Sequence, residues 1–288
     1  MTCDLLIVGG TGLAGGALAE AARTRGLSVR TLARRGDLAV DICDLEALEG
    51  ALAVARPRTI VNAAAIVSLP ACDGDPGRAW MVNTRPLTVL AEHVRMTGAR
   101  LIQISTDHYY SGDGRRAHLE TDPVRAINEY SRTKLAAEAV ASTAGPAALI
   151  LRTNFVGFPS ATGASLAEWA LGVIRADAPA DIFDDQFVSS LDVWSFADAV
   201  LDLTGTTAAG VLNLGAAEVF SKAEFVERFA QALGRTLSAT RRVSVKDGST
   251  LRGDSLGLDV SRAEAWLGRP LPPLDQVVAN LAARCQER

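Results

Sequence analysis

The sequence predicts an α/β fold: a doubly wound parallel sheet followed by a smaller C-terminal lobe. Short apolar runs alternate with helical patterns through the first half of the 288 residues, as in sheets that helices cover on both faces. A glycine-rich turn joins the first apolar run to the first helical pattern. Beyond residue 153 the alternation is lost. We therefore expect one domain over 1–153, to which 191–214 returns, and a second over 154–288.

The first element of the sheet is the run Leu5–Val8, whose unbroken apolar character suits a strand buried on both faces. Glycines follow at positions 9, 10, 12, 15 and 16, and an alanine-rich helical pattern runs from Ala17 to Thr24. Strand, glycine turn and helix form the context in which a glycine motif binds phosphate. The spacing is G-x-x-G-x-x-G rather than the commoner G-x-G-x-x-G, and a turn without a ligand is the alternative.

Three glycines of this motif have separate roles in a phosphate site. Gly9 permits the tight turn, Gly12 lets the backbone approach a pyrophosphate, and Gly15 lets the helix pack closely on the strand. The first N–H groups of the helix have no partner within it, and the helix dipole favours an anion there. The turn therefore predicts a dinucleotide site.

The alternation continues through the rest of the first half. Asp44 suits the N-cap of the second helix, and Pro86 interrupts a long helical pattern. Right-handed crossovers bring the carboxyl ends of the strands, and hence a ligand, to one edge of the sheet. The predicted strands are 27–33, 38–40, 59–65, 100–105 and 147–152, and the predicted helices are 44–55, 78–97 and 129–143.

The second half contains helices that are farther apart. Ser221 and Glu224 form a capping box, and Gly234 ends that helix. Asp259 or Ser261 caps the next one. We predict a loop over 155–163, mixed structure over 181–190, a strand over 210–214 and helices over 164–176, 195–203, 221–234 and 259–267, with a last helix ending at residue 284.

The composition excludes several classes of partner. The formal net charge is −4 and no basic run exceeds two residues, so we expect no nucleic-acid partner. No segment is long and apolar enough to span a membrane, and the N-terminus resembles a strand rather than a signal peptide. We therefore expect no membrane partner. The four tryptophans are expected to pack in the core and between the domains rather than to serve as base-stacking surfaces.

The cysteines and histidines give two further expectations. The four cysteines are scattered without a C-x-x-C pair, which indicates free thiols in a reducing compartment and hence a cytoplasmic protein. The three histidines form no H-x-x-x-H pattern, so no metal site built by the protein is predicted.

Tyr130 and Lys134 form a Y-x-x-x-K pattern at the start of a predicted helix. Residues four apart lie on one face of a helix, one turn from each other. A lysine ammonium nearby favours the phenolate and makes the hydroxyl a usable acid near neutral pH. An unconnected surface pair is the alternative, and the position downstream of a dinucleotide motif favours catalysis.

Ser105, Thr106 and Asp107 end the fifth predicted strand. Polar residues at the carboxyl end of such a strand lie at the ligand edge of the sheet. One of the hydroxyls could donate a hydrogen bond to a substrate carbonyl oxygen beside Tyr130. The alternative is a turn in which these side chains cap loop backbone.

Five stretches in order carry a family resemblance: GGTGLAG, VNAAA, ISTDHYYSG, YSRTK and LILRTNFVG. The chain resembles the extended short-chain dehydrogenases/reductases, and within them the dTDP-4-dehydrorhamnose reductase (RmlD-like) family. The likeness runs from the first strand to about Leu214. It implies a Rossmann-like domain that binds a nicotinamide cofactor, a substrate-binding lobe, and reduction of the 4-keto group of a nucleotide-activated deoxysugar.

The resemblance also implies roles for single residues. Tyr130 would be the proton donor, Lys134 would hold the nicotinamide ribose and lower the tyrosine pKa, and Thr106 would be the hydroxyl of the triad. The cofactor would contact Tyr130, Lys134 and Gly9, Thr11, Gly12, Leu13, Gly15, Arg34, Arg35, Asp41, Ile42, Ala63, Ala64 and Ala65. The substrate would contact Ser105, Thr106, Asp107, Asn154 and Phe155.

Arg34 and Arg35 follow the second strand, where an NAD-specific fold carries an acid for the ribose 2′-hydroxyl. Two guanidinium groups suit a 2′-phosphate instead, so NADP(H) is preferred; NAD(H) and solvated surface arginines stay open. Asp41 and Ile42 match the family's adenine contact, although Asp41 could simply lead into the next helix. The small side chains of Ala63–Ala65 leave room for the nicotinamide and its diphosphate.

Departures from the family pattern lie on the substrate side. The S-T-D motif is followed by His108-Tyr109-Tyr110 rather than Y-V-F, Phe155 stands where the family has tryptophan, and Val188 replaces a glycine. The asparagine-rich start of the next helix is Gly-Ala-Ser at 163–165. These departures leave open whether the substrate is dTDP-4-dehydrorhamnose, another nucleotide sugar or a different ketone.

Two other functions stay open from the sequence. An epimerase or dehydratase that retains NAD is opposed by the lack of an acid after the second strand. A non-catalytic regulatory subunit of the same fold is opposed by the presence of Tyr130 and Lys134. The expected partner is a small molecule, with a homodimer left open. Arg241 and Arg242 are either diphosphate contacts or surface charges.

Overall fold

The structure is a computed structural model that describes residues 2–158, 165–247 and 252–286. The chain folds into two compact units. The first unit comprises residues 1–106, 126–152 and 197–212, and the second comprises 107–125, 153–196 and 213–288. Residues 107–125, which the sequence assigns to the first domain, thus belong to the second unit.

Within the described residues the strands are, in chain order, β1 (Cys3–Val8), β2 (Val29–Ala33), β3 (Leu38–Ala39), β4 (Pro57–Asn62), β5 (Arg100–Ile104), β6 (Ala148–Thr153), β7 (Phe155–Val156), β8 (Ala180–Phe183), β9 (Phe187–Val188), β10 (Leu191–Asp192), β11 (Gly210–Leu214), β12 (Phe220–Ser221), β13 (Thr240–Val243) and β14 (Ser255–Leu256). The helices are α1 (Leu13–Thr24), α2 (Leu45–Ala55), α3 (Leu69–Gly74), α4 (Pro76–Asn83), α5 (Pro86–Thr97), α6 (Glu129–Ser142), α7 (Leu166–Ala176), α8 (Val193–Thr204), α9 (Lys222–Ala232), α10 (Ser261–Leu267) and α11 (Leu274–Gln286).

Seven strands form one parallel sheet in the order β11-β6-β5-β4-β1-β2-β3, which confirms the predicted doubly wound fold. Residues 5–8 of β1 are at most 1% exposed, as a strand covered on both faces requires. Val8 is paired with Leu32 of β2 on one side and with Asn62 of β4 on the other. The strand order therefore reverses at β1, and the crevice beside its carboxyl end is where such sheets bind ligands.

Two of the three helix caps predicted from the sequence are present, those of α2 and α9. Asp44 accepts a hydrogen bond from the backbone at the start of α2, and Ser221 and Glu224 form the capping box of α9. These side chains satisfy N–H groups that have no acceptor within the helix. The predicted caps of α10 are wrong, because Val260 occupies the N-cap position. Asp259, the residue before Val260, instead accepts a hydrogen bond from the N–H of Ser261, the first residue of the helix.

The long helix predicted over 78–97, with an interruption at Pro86, is divided into two helices at that proline. Two helices, α4 and α5, occupy this region, and the unpredicted α3 precedes them. Pro86 is the first residue of α5, because a proline has no N–H to donate within a helix and is tolerated at its start. Ser68 and Asp75 cap α3 and α4, and each of these residues precedes a proline-containing first turn. Asp75 with Pro76 is the sequence signal for the boundary between α3 and α4, and Pro86 is the signal for the boundary between α4 and α5.

The fourth strand is shorter than predicted, since it ends at Asn62 rather than at Ala65. The side-chain oxygen of Asn62 accepts a hydrogen bond from the Ala64 N–H at 3.3 Å, which is typical of a turn. The chain therefore leaves the sheet at the first of the three alanines, one residue after the last strand position.

The second unit contains small sheets with the strand orders β10-β7, β12-β9-β14 and β13-β8. The loop predicted over 155–163 is wrong at its start, where β7 pairs with β10. Positions 159–164 of that loop and of the next predicted helix lie outside the described residues. Helix α7 begins after a capping box of Ser165 and Glu168. No helix in the described ranges has the length and apolar character needed to cross a membrane.

Candidate active site

The turn between β1 and α1 is closely packed against backbone. A Cβ atom on Gly9, whose φ is +83°, would lie 2.7 Å from the backbone nitrogen of Ala64. A Cβ atom on Gly15 would lie 2.2 Å from the carbonyl oxygen of Gly9. Only glycine fits at these two positions, because backbone atoms cannot move aside as a flexible side chain can.

Gly12 differs from these two glycines. Its Cβ atom would meet only the Gly9 carbonyl oxygen, at 3.4 Å, so the fold itself does not require glycine there. Gly12 is exposed at the N-cap of α1, and no side chain caps this helix. Thr11 and Leu13 flank it, exposed and partly exposed. An open, uncapped helix N-terminus fits the pyrophosphate of a dinucleotide.

Charged residues follow β2 and β3 in the first unit. Arg34 and Arg35 are exposed directly after β2. Asp41 accepts the Cys43 N–H at 2.9 Å, and this bond, with the charges of Arg78 and Arg34, holds the pKa of its carboxyl below its usual range. Arg78 of α4 therefore lies close enough to Asp41 to act on its carboxyl, although no sequence pattern connects Arg78 with β3.

The expectation that no acid follows the second strand is wrong, because Asp37 follows β2 within four residues; its carboxylate is bonded to Thr31 of that strand. Asp37 Oδ2 accepts hydrogen bonds from the N–H and the hydroxyl of Thr31, each at 2.9 Å. These bonds lower the pKa of Asp37. One carboxylate oxygen of Asp37 is therefore bonded within the protein, and half of the side chain is exposed.

The alanines after β4 lie against the glycine turn. Ala63 donates its N–H to the Val8 carbonyl at 2.9 Å, and Ala64 supplies the backbone atoms that a side chain on Gly9 would strike. Ala63, Ala64 and Ala65 are all partly exposed. The predicted cofactor segment therefore lines the crevice at the point where the strand order reverses. Ile42, which follows the edge strand β3, is partly buried and packs against the hydrophobic core of the first unit.

Tyr130 and Lys134 lie one turn apart on α6 and are 7% and 3% exposed. Lys134 Nζ donates a hydrogen bond to the Ile104 carbonyl oxygen at 2.6 Å, which ties α6 to the end of β5. Burial lowers the pKa of Lys134 to about 8, and the nearby Glu138 carboxylate opposes this shift. Thr106, two residues beyond Ile104, is buried as well.

Sequence reasoning missed a buried ion pair beside these residues. Glu138 Oε2 lies 2.9 Å from Arg152 Nη2, and Glu138 Oε1 accepts the hydroxyl of Ser105 at 2.5 Å. Glu138 is four residues beyond Lys134, so the Y-x-x-x-K spacing extends by one more turn to a carboxylate. The sequence offered a second signal of this ion pair, because Arg152 is a charged residue near the end of the otherwise apolar strand β6.

Two of the predicted substrate residues lie together in the second unit. Asn154 Nδ2 donates to Asp107 Oδ2 at 2.8 Å, and the Ser190 hydroxyl donates to Asn154 Oδ1 at 2.7 Å. Asp107 is 1% exposed. Phe155 instead packs on Phe196, with ring centroids 4.5 Å apart.

The second unit also contains a pocket of about 180 Å³ that the sequence did not predict. Trp169 lines it and is 39% exposed, so the expectation of a core position is wrong for this tryptophan. It is wrong for Trp80 and Trp266 too, which are 39% and 43% exposed. The pocket is lined by Leu166, Trp169, Asp181, Ile182, Phe183, Lys222, Val226 and Arg252.

Two cations of this pocket interact with the residues after the S-T motif. Desolvation lowers the pKa of Lys222 to about 8; the charge of Arg252 acts in the same direction and Asp107 opposes it. Desolvation and these same two cations hold the pKa of His108 well below its usual range. Lys222, Arg252, Asp107 and His108 are therefore close enough to act on one another.

Arg241 and Arg242 are surface charges. Arg241 pairs with Asp181 at 2.9 Å and Arg242 with Glu227 at 2.7 Å, and both arginine side chains are at least half exposed. Within the described part of the chain, no group of three or more His, Cys, Asp or Glu side chains is arranged to hold a metal ion.

The family model of the RmlD substrate binding domain matches residues 3–286. A dTDP-4-dehydrorhamnose reductase of Streptomyces griseus is 32% identical over 214 residues, which cover 73% of this chain and 68% of that protein. A probable low-salt glycan biosynthesis reductase, Agl14, of Haloferax volcanii is 27% identical over 257 residues, which cover 85% and 83%.

Solved structures show the same fold. A dTDP-4-dehydrorhamnose reductase from Bacillus anthracis in complex with NADP superposes with a TM-score of 0.87 at 19% identity, covering 99% of both chains. MoeE5 in complex with UDP-glucose and NAD superposes with a TM-score of 0.79 at 21% identity, again over 99% of both. The chain therefore belongs to the RmlD substrate binding domain family, and with it to the extended short-chain dehydrogenases/reductases, which are NAD(P)-dependent oxidoreductases.

Proposed function

We propose that this protein uses NADPH to reduce a keto group of a nucleotide sugar, with Tyr130 as the proton donor. The observation that carries the proposal is the buried pair of Tyr130 and Lys134 on α6, in the same unit as the uncapped glycine turn. Relatives named dTDP-4-dehydrorhamnose reductase support the reaction and the substrate class.

The first unit offers the groups that would hold the cofactor. The backbone N–H groups at the start of α1 would bind the pyrophosphate, since no side chain competes for them. The small side chains of Ala63–Ala65 would leave room for the nicotinamide. When bound, the nicotinamide supplies the hydride; the protein's own residues bind, orient and move one proton.

Tyr130 would give its phenolic proton to the keto oxygen as negative charge develops there. Lys134 would stabilise the phenolate that remains. One of the three donors of its ammonium is used by the Ile104 carbonyl, which leaves donors for the phenol and for a ribose hydroxyl. The hydroxyl of Thr106 would orient the keto oxygen, and hydrogen bonds aimed at a developing oxyanion account for much of such catalysis.

The preference for NADPH rests on the ends of β2 and β3. Arg34 and Arg35 are exposed there, and guanidinium groups suit a phosphate. Asp37, the first acid after β2, has one carboxylate oxygen bonded to Thr31. Arg34→Ala should therefore lower kcat/KM for NADPH more than for NADH.

The pocket of the second unit suits the nucleotide half of the substrate. Lys222 and Arg252 would bind a diphosphate, and Trp169 and Phe183 offer apolar surface to a base. Phe155 and Val188 are where the sequence departs from the dTDP-4-dehydrorhamnose reductase pattern. The proposal is therefore the class of nucleotide 4-keto sugars rather than a single member of it.

Steady-state turnover of dTDP-4-dehydrorhamnose and related keto sugars with NADPH tests the proposal. Tyr130→Phe should abolish turnover and retain NADPH binding, measured by the fluorescence of the bound cofactor. Undiminished turnover in Tyr130→Phe would refute the assignment of the proton donor. Bound NAD that is never consumed would favour an epimerase or dehydratase, and no turnover with any keto sugar would leave a non-catalytic role.

A further inference from the structure

A glutamine lies fully buried inside the apolar strand β5. Gln103 is 0% exposed, and its neighbours in the strand, Ile102 and Ile104, are 0% and 6% exposed. An amide in such a place is costly unless its oxygen and nitrogen are hydrogen-bonded. The partners of Gln103 therefore decide why a polar residue is tolerated there.

Both ends of the Gln103 side chain are bonded to residues near the candidate site. Its Oε1 accepts from Asn62 Nδ2 at 2.8 Å, and its Nε2 donates to the Ile104 carbonyl oxygen at 2.7 Å. The same carbonyl oxygen accepts from Lys134 Nζ at 2.6 Å. Because a carbonyl oxygen has two lone pairs, these two side chains occupy it fully and fix its direction.

The other end of this chain of bonds reaches the crevice. Asn62 Oδ1 accepts the Ala64 N–H at 3.3 Å, and the Ala64 backbone is what a side chain on Gly9 would strike. A chain of hydrogen bonds thus runs from the Ala64 N–H, which packs against the glycine turn, through Asn62, Gln103 and the Ile104 carbonyl to Lys134, all within the first unit.

We propose that Gln103 is a positioning residue that holds the Ile104 carbonyl, and through it the ammonium of Lys134, in register with the segment Ala63–Ala65. The catalytic part of this inference rests on the proposed function. The geometry gives the buried amide a role, because its Nε2 is a second donor on the carbonyl oxygen that accepts from Lys134 and so restricts the direction of that carbonyl.

The charged group that acts on Lys134 from its own helix is Glu138, which pairs with Arg152 of β6. Gln103 is neutral, so its removal changes hydrogen bonding without changing this charge balance. In Gln103→Leu, the ammonium loses a fixed acceptor and gives up its proton at lower pH. In Gln103→Glu, the added carboxylate favours the ammonium, and the proton is lost at higher pH.

The protein has three lysines, Lys134, Lys222 and Lys246, so the ¹⁵N-labelled lysine ammonium signals can be assigned by the loss of one signal in each Lys→Met variant. The expected result is a shift of the Lys134 titration downward in Gln103→Leu and upward in Gln103→Glu, with the other two lysines unchanged. This measurement needs no substrate, so it separates failure of the inference from failure of the proposed function.

The kinetic arm compares kcat with KM. Gln103→Leu should lower kcat about tenfold, with a KM for NADPH within about twofold, and should move the alkaline limb of the kcat profile to lower pH. Leu101→Ala is the matched control, because Leu101 is buried two residues earlier on the same face of β5. It should lower the Tm and leave the Lys134 titration unchanged. An unchanged Lys134 titration in both Gln103 variants would overturn the inference.

Discussion

Glu138 and Arg152 form an ion pair in the interior of the first unit, with 2.9 Å between Oε2 and Nη2 and each side chain 6% exposed. The same carboxylate accepts the hydroxyl of Ser105 and acts on the ammonium of Lys134. A buried charge is tolerated only while it is paired. The pair therefore links the stability of the first unit to the electrostatics of the candidate site.

Arg152→Met should destabilise the protein by about 3–5 kcal/mol, because it leaves the Glu138 carboxylate buried and uncompensated. Glu138→Met combined with Arg152→Met should cost less than Arg152→Met alone, since no unpaired charge remains. Urea unfolding of the two variants measures the difference. Equal or greater destabilisation in the double variant would contradict the account.

Lys134→Met should abolish turnover and raise the Tm at pH 7. Burial of the ammonium lowers its pKa to about 8 from an ordinary value of 10.5, so the cost of burying the charge is full below pH 8. That cost falls as the pH rises from 8 towards 10.5, because the folded protein has then lost the proton while the unfolded chain keeps it.

The Tm advantage of Lys134→Met should therefore be largest below pH 8 and shrink between pH 8 and 9.5. Calorimetry across that range measures it. Lys246→Met is the control, because Lys246 is exposed. The Tm difference between Lys246→Met and the unsubstituted protein should be the same at every pH in this range. A Tm advantage of Lys134→Met that does not depend on pH would argue against a charged, buried lysine.

Gly12→Ala should weaken NADPH binding about tenfold or more, a loss of about 1.4 kcal/mol, because the added methyl group would stand where the pyrophosphate approaches. The fold should be unaffected, since the methyl group would meet only one protein atom, at 3.4 Å. Titration of cofactor fluorescence measures the dissociation constant.

The matched control is Gly16→Ala in the same helix, where a Cβ atom would meet nothing within 4 Å. This change should raise stability by about 0.5–1 kcal/mol through helix propensity and leave NADPH binding unchanged. Equal binding by the two variants would mean that the start of α1 does not hold the pyrophosphate.

Lys222→Met should raise the KM for a nucleotide keto sugar about tenfold, with little change in kcat, because the proposed role of the ammonium is to bind the substrate diphosphate rather than to take part in the chemical step. Lys246→Met removes the same charge from an exposed position and should change neither constant. A fall in kcat with unchanged KM would place Lys222 near the chemistry instead.

The fold could be predicted because its signals are local. The run from Leu5 to Val8 indicated a buried strand, and the glycines at 9, 12 and 15 indicated the turn that follows. The helical pattern over 78–97 is divided at Pro86, the interruption that the sequence shows, because a proline is tolerated at the start of a helix but not in its interior. Proline chemistry prevailed there over helical periodicity.

Parts of the site could not be predicted because distant segments create them. Lys222 is an ordinary first-turn residue of α9 in sequence, and only the folded second unit brings it to Arg252 and Asp107. Gln103 was hidden in an apolar strand whose pattern it interrupts by one residue. Its partners, Asn62 and the Ile104 carbonyl, belong to a neighbouring strand and to backbone that no pattern of side chains reveals.

The boundary between the two compact units falls inside the S-T-D motif, between Thr106 and Asp107. A second boundary lies between Arg152 and Thr153, and each unit is built from three separate segments of the chain. Truncation at residue 152 would remove β11, an edge strand of the central sheet. Neither half can be cloned as one uninterrupted piece, and chimaeras with relatives will require several junctions, one of them within the motif itself.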